Sequence, residues 1–208
     1  MKVLIIGNVA ITGEFGSRID SDEFDQVIRM NHYKLDGFRN QIGERVDIHA
    51  LQAVDRCMRY MHFAPVIWML SLTSAEKYWN DRTGVRRKQE WAGKFRNLFV
   101  NEGGVYTHIP QVRWGEDTAF LEVHEKLKNR FPEGQINTTG LILIESVHLK
   151  WPDAEIHLLG FDGCKTGHYY RAAHPHNLTK HNSELEREIL VGWKEQGKIR
   201  FLEDSSGI

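Results

Sequence analysis

Four short segments carry residues suited to holding an anion and moving a proton. Asn8 follows the apolar run 3–6, and Asn31 follows the run 27–30. A carboxamide at the end of a strand can donate an N–H to a single phosphate, and it can equally satisfy its own turn. Thr138-Thr139-Gly140 heads a stretch with helical periodicity, 139–150. The first N–H groups of such a helix lack intrahelical acceptors and point outward, which makes an anion site. The same residues also read as a Thr N-cap followed by a Gly that permits close packing. His181 lies two residues before Ser183-Glu184-Leu185-Glu186, a Ser-x-x-Glu capping box at the start of the last helical stretch. The positive helix end disfavours an imidazolium there and keeps the ring neutral, the form a general base needs. Glu186 reads first as the capping carboxylate, with a supporting part in fixing the loop that carries His181.

Other candidates point elsewhere once their spacing is considered. His168, His174, His176 and His181 crowd one segment, but their spacing matches no common zinc pattern and neither cysteine is placed to join them. No metal site is expected. Asp20-Ser21-Asp22 imitates a metal-binding Asp-x-Asp, yet it precedes a strand instead of following one, and so reads as a solvated turn. The turn from Gly7 to Gly16 has three glycines but not the dinucleotide fingerprint, because Val9 occupies the second glycine position, where backbone must approach a pyrophosphate. Arg82, Arg86, Arg87, Lys88, Lys94 and Arg96 interleave with Tyr78, Trp79 and Trp91. That mixture suits a glycan or anionic surface, as a lid or as a solvated helix face.

The elements that must position these residues are legible as short apolar runs at 3–6, 27–30, 46–50, 66–70, 156–159 and 199–202, which read as buried strands. Helical periodicity at 51–61, 117–131, 139–150 and 183–196 alternates with them. Alternation of this kind implies an α/β fold, a single Rossmann-like domain over 1–208 with a largely parallel sheet and helices on both faces. Ligands of such sheets bind at the carboxyl ends of strands, where Asn8 and Asn31 stand. Composition agrees: 208 residues, 41% hydrophobic and 26% charged, fit one well-filled core. A net charge of -1 gives no footprint for nucleic acid as a partner. The apolar run after Lys2 is too short for a signal segment or a membrane span. Cys57 and Cys164 read as free thiols in a reducing compartment, so a soluble, cytoplasmic protein is expected.

Gly7-Asn8, Gly16, Ile19-Asp20, Phe24, Val27, Arg29-Met30-Asn31, Gly37 and Ile42-Gly43-Glu44-Arg45-Val46 resemble the large sialylmotif of glycosyltransferase family 29, the eukaryotic-type sialyltransferases. Asn137-Thr138-Thr139-Gly140 with Ile156-His157-Leu158-Leu159-Gly160-Phe161-Asp162 is similar to the small sialylmotif. His168-Tyr169-Tyr170 resembles the third motif, and His181 with Glu186 resembles the very short motif. The layout is more loosely similar to bacterial sialyltransferases of family 42. The resemblance implies a modified GT-A, sialyltransferase-like fold. It also implies an inverting transfer of sialic acid, or of a related acidic sugar such as Kdo, from its CMP donor to a glycan acceptor. By the same resemblance Asn8 and Asn31 would contact the CMP phosphate and nucleoside, and Thr138, Thr139 and Gly140 would line ribose and phosphate. Tyr169 would join the nucleotide site, His168 would stabilise the leaving phosphate, and His181 would be the base. CMP departs with a single phosphate, so a few hydrogen-bond donors can replace a divalent metal, and no cofactor is expected beyond the donor substrate, CMP-sialic acid or CMP-Kdo. The rival expectation is a catalytically inactive nucleotide-binding protein of the same fold.

This chain departs from the family pattern in three places. The cysteines that join the large and small motifs fall on Val3 and Asp153, so that disulfide is absent, as suits a cytosolic protein. Arg171 stands where the third motif ends in an acidic residue. The chain opens directly on its first strand, from which no anchor or stem, and a reduced acceptor-binding part, are expected.

Overall fold

The computed structural model describes residues 1–51, 64–69, 111–114, 123, 126–127, 130–132, 138–163 and 181–203. Seven strands form one sheet: β1 (Lys2–Ile6), β2 (Gln26–Met30), β3 (Ile48–Leu51), β4 (Val66–Met69), β5 (Gln111–Trp114), β6 (Glu155–Leu159) and β7 (Ile199–Phe201). Their order is β5-β4-β3-β2-β1-β6-β7, and every neighbouring pair is parallel. The described helices are α1 (Gly16–Ile19), α2 (Arg39–Ile42), α3 (Thr139–Lys150) and α4 (Ser183–Glu195).

Strand alternation divides the core. Val3 and Ile5 of β1, Ile28 of β2, and Ile156 and Leu158 of β6 face α3 and α4, packing on Leu143, Val147, Ile189 and Trp193. Leu4, Ile6, Val27 and Leu159 face the other side, against Ile19 of α1, Phe24 and Leu202. A sheet covered on both faces explains why β1 reads as an unbroken apolar run and why the interiors of β2, β3 and β6 are apolar but for Arg29, His49 and His157. Helix α3 is buried from Gly140 through Val147, whereas α4 buries the stripe Glu186, Ile189, Leu190 and Trp193, spaced as one face of a helix.

The doubly wound architecture expected from the sequence is therefore present, with differences in detail. Strand β3 starts at Ile48 because Asp47 is engaged at the turn: its backbone N–H donates to Val27 O and its Oδ2 accepts from Val27 N–H. Strand β5 gives no apolar run to read, since its sequence is Gln-Val-Arg-Trp. It lies at the sheet edge, where a continuous apolar run is not required. Of the periodic stretch 117–131, Val123, Lys126 and Leu127 are helical; the stretch 51–61 falls outside the described residues apart from Leu51. No helix among the described residues is long and apolar enough to cross a membrane.

Candidate functional site

The chain leaves β1 toward β2 on one side and reaches β6 on the other, so the sheet's topological switch lies between β1 and β6. In open parallel sheets the ligand crevice opens beyond the carboxyl ends of the strands at that switch. The loops after β1 and β6 are stitched together there. Gly7 N–H donates to Leu159 O at 2.7 Å and Val9 N–H to Gly160 O at 3.2 Å. A Cβ on Gly7 would sit 2.2 Å from Gly160 O, so only glycine permits this approach.

Asn8 lies in this seam and is only 5% exposed. Its Nδ2 donates to Met30 O at 3.4 Å, tying the β1 loop to the end of β2. Its Oδ1 is buried and has no hydrogen-bond partner. A buried orphan acceptor is unfavourable unless something fills it, and marks the place a ligand donor would satisfy. Next in the chain, Asn31 has φ 51, a left-handed conformation that Asn tolerates better than most side chains. Hydrogen bonds to β3 hold its backbone: Asn31 N–H donates to Ala50 O at 2.8 Å, and His49 Nε2 donates to Asn31 O at 2.6 Å.

Helix α3 brings in the third segment. Thr138 is its N-cap, its Oγ1 accepting from Leu141 N–H at 3.4 Å, while Ile142 N–H donates to Thr138 O at 3.3 Å. The N–H groups of Thr139 and Gly140 are left without intrahelical acceptors. A Cβ on Gly140 would stand 2.8 Å from Phe161 Cε1, so the helix start packs directly on the β6 loop. Helix α4 closes the site: a Cβ on Gly163 of the β6 loop would lie 3.0 Å from Ser183 O.

The capping box expected at Ser183 is not formed. Asn182 is the N-cap of α4, its Oδ1 accepting from Leu185 N–H at 3.0 Å, because its extended backbone, one residue earlier, already presents the carboxamide to that donor. Glu186, freed from capping, reaches across 48 positions of sequence: its Oε1 accepts from Thr138 N–H at 2.9 Å and its Oε2 from the Thr138 hydroxyl at 2.8 Å. Burial pushes the Glu186 carboxyl up to about 7, against the two Thr138 hydrogen bonds that pull it down. The carboxylate clamps the two helix starts together, and His181 stands immediately before the clamped cap. Glu184, exposed in the first turn of α4, places an acidic side chain at the positive helix end that follows His181.

Asn8, Asn31, Thr138, Thr139, Gly140 and His181 thus stand on four segments that, with the β6 loop, converge at the carboxyl edge of the sheet. His168 and Tyr169 lie outside the described residues, as do both cysteines and the basic stretch 82–96. Asp20 is an exposed brace: its Oδ1 accepts from Glu44 N–H and Arg45 N–H, each at 2.7 Å. Among the described residues no group of three or more His, Cys, Asp or Glu could hold a metal ion. Sequence reasoning missed two supporting residues. His49 is fully buried behind Asn31, and Arg29, fully buried in β2, donates from Nε to Arg45 O and from Nη2 to Ile42 O and Gly43 O. The available signal was a polar side chain inside each apolar run, since buried polar groups are kept where they hold something.

The family model for glycosyltransferase family 29 (sialyltransferase) matches residues 4–198. No curated protein sequence matches the chain. Among solved structures the fold is similar to a mammalian sialyltransferase in complex with Gal-beta-1-3GalNAc-ortho-nitrophenol, at 16% identity and TM-score 0.57, covering 97% of this chain and 68% of that one. It is similar to the sialyltransferase CST-II in complex with a trisaccharide acceptor and CMP, at 15% identity and TM-score 0.59, covering 100% and 83%. It is also similar to CstII from Campylobacter jejuni in complex with the substrate analogue CMP-3FNeuAc, at 16% identity and TM-score 0.60, covering 99% and 82%. At these identities the likeness establishes the fold.

Proposed function

Because the chain belongs to glycosyltransferase family 29, the sialyltransferases, we propose that it moves a sialic acid from a CMP donor to a glycan hydroxyl with inversion at the anomeric carbon. The observation that carries this reading is the convergence of the β1, β2 and β6 loops with the starts of α3 and α4, around free helix N–H groups and the orphan Oδ1 of Asn8. Structural neighbours with CMP, a CMP-sugar analogue and acceptor glycans support donor and acceptor of these classes.

In this reading the phosphate lies at the Thr139 and Gly140 N–H groups, where an anion meets unsatisfied donors and the positive end of α3. Asn31 and the second Nδ2 hydrogen of Asn8 complete its shell, and the Asn8 Oδ1 accepts from a nucleoside hydroxyl or amine. His181 removes the proton from the acceptor hydroxyl as it attacks the anomeric carbon. On the opposite side of that carbon, His168 donates to the departing phosphate and Tyr169 lines the nucleotide. The residues form a single domain over 1–208 and work without a metal, since one phosphate develops little enough charge for hydrogen-bond donors to stabilise. Val3 and Asp153, in place of the family's paired cysteines, support a cytoplasmic location.

Calorimetric titration with CMP, CDP, UDP and NAD, followed by assay of CMP-sialic acid and CMP-Kdo with glycan acceptors, tests the proposal. The expected result is preferential CMP binding and turnover of CMP-sialic acid. Preferred turnover of CMP-Kdo would reassign the donor, and CMP binding with neither transfer nor donor hydrolysis would leave an inactive binder. Preference for UDP or NAD would overturn the nucleotide site itself.

A further inference from the structure

The hydroxyl of Thr138, which heads the nucleotide site proposed above, donates its hydrogen to Glu186 Oε2 at 2.8 Å. Its Oγ1 already accepts from Leu141 N–H. While Glu186 is ionised, Thr138 therefore has no hydrogen to offer a phosphate. A proton on Oε2 reverses this bond. The carboxyl O–H then donates to Thr138 Oγ1, which has a second lone pair for it. The Thr138 hydrogen is then free to turn to another acceptor, while Thr138 N–H keeps its bond to Oε1.

We propose that donor binding at the α3 start draws one proton from solvent onto Glu186, and that this proton releases the Thr138 hydroxyl to the donor phosphate. The inference rests on the nucleotide site proposed above. Electrostatics favour the same direction, because a phosphate one residue from a buried carboxylate disfavours its ionised form. The carboxyl starts close to neutrality, at about 7, so its proton moves within the working range. Among the described residues no charged neighbour sets that value. The titratable groups on the elements around it are His181 ahead of α4, Asp162 on the β6 loop, and the exposed Glu184, Arg187 and Glu188 on α4, and the shift comes from burial and Thr138 alone. Glu186 is thus a positioning residue that acts through Thr138.

Calorimetry of CMP-3FNeuAc binding at about pH 7.5, in two buffers of different ionisation enthalpy, counts protons taken up. This probe carries a phosphodiester and does not titrate near neutrality. The wild type should take up on the order of half a proton more than Glu186→Gln. Thr138→Val, which removes the hydroxyl to be released, should also lower the uptake and gives a second reading if Glu186→Gln is poorly folded. Equal uptake by wild type and the variants, with binding retained, would overturn the proton linkage and leave the nucleotide site standing. Absence of binding by the folded wild type would instead remove the site on which the linkage rests.

Discussion

Replacing Glu186 by Gln should change the pH dependence of stability in the ligand-free protein. The carboxyl is 2% exposed, and burial raises it from 4.5 to about 7. At about 1.4 kcal/mol per unit this is about 3 kcal/mol of differential stability between its two protonation states. The folded chain holds this proton until about pH 7, whereas the unfolded chain releases it near 4.5. Between those values the folded state binds more protons, so this group's contribution falls as pH rises, and its full cost is present above the folded value. Gln has nearly the same shape and no charge. Its Oε1 can accept from Thr138 N–H and its Nε2 can donate to Thr138 Oγ1, the arrangement the protonated carboxyl also adopts. The variant should therefore match wild type to within about 1 kcal/mol near pH 4 and be about 2 to 3 kcal/mol more stable near pH 8. Urea unfolding at several pH values, with m unchanged between the two proteins, measures the difference directly. A difference that stays flat across this range, or that favours wild type more as pH rises, would refute the buried-carboxyl argument.

Asn31→Ala and Asn31→Gly should both weaken CMP binding by about 1 to 3 kcal/mol if a charge-assisted hydrogen bond is lost. Only the Ala variant should also lose stability, because φ 51 strains it and glycine adopts that conformation freely; unchanged CMP affinity in both would remove Asn31 from the site. His181→Ala should lower turnover about 100-fold or more with CMP affinity nearly intact. His168→Ala should lower both, and the roles fail if His181→Ala abolishes CMP binding while His168→Ala does not. Transfer should persist in excess EDTA; activity lost to chelation and restored by manganese or magnesium would overturn metal independence.

The sheet was legible because burial on both faces writes strands as unbroken apolar runs, as in Val3 to Ile6. It failed at β5, whose Gln-Val-Arg-Trp sits at an edge and needs no such run. The positions of Asn8 and Asn31 followed from the rule that parallel sheets bind ligands beyond their carboxyl ends. The left-handed turn at Asn31 did not, since Asn is compatible with several conformations and the hydrogen bonds that select this one come from β3. The capping box failed for a related reason. Ser183 and Glu186 have the right local spacing, but Asn182 offers a competing cap, and the Glu186 carboxylate meets Thr138, 48 positions away. Local spacing reports what a side chain can do within its own turn; it carries no information about a partner supplied by tertiary packing.

Arg29, His49 and Glu186 share a physical role. Each is a buried polar side chain set behind a loop: Arg29 behind the turn between α2 and β3, on the carbonyls of Ile42, Gly43 and Arg45, and the other two behind converging segments, His49 on the carbonyl of Asn31 and Glu186 on the donors of Thr138. Burying such groups is unfavourable unless they are hydrogen-bonded. Loops at a sheet edge in turn carry backbone groups that water or protein must satisfy. Placing one against the other answers both requirements on the inward side of each loop. The outward donors, the N–H groups of Thr139 and Gly140 above all, then remain unpaired in a fixed geometry. A site built in this way offers its hydrogen-bond donors to an anion without reorganising its backbone, the condition under which such donors contribute most to stabilising charge on a departing group.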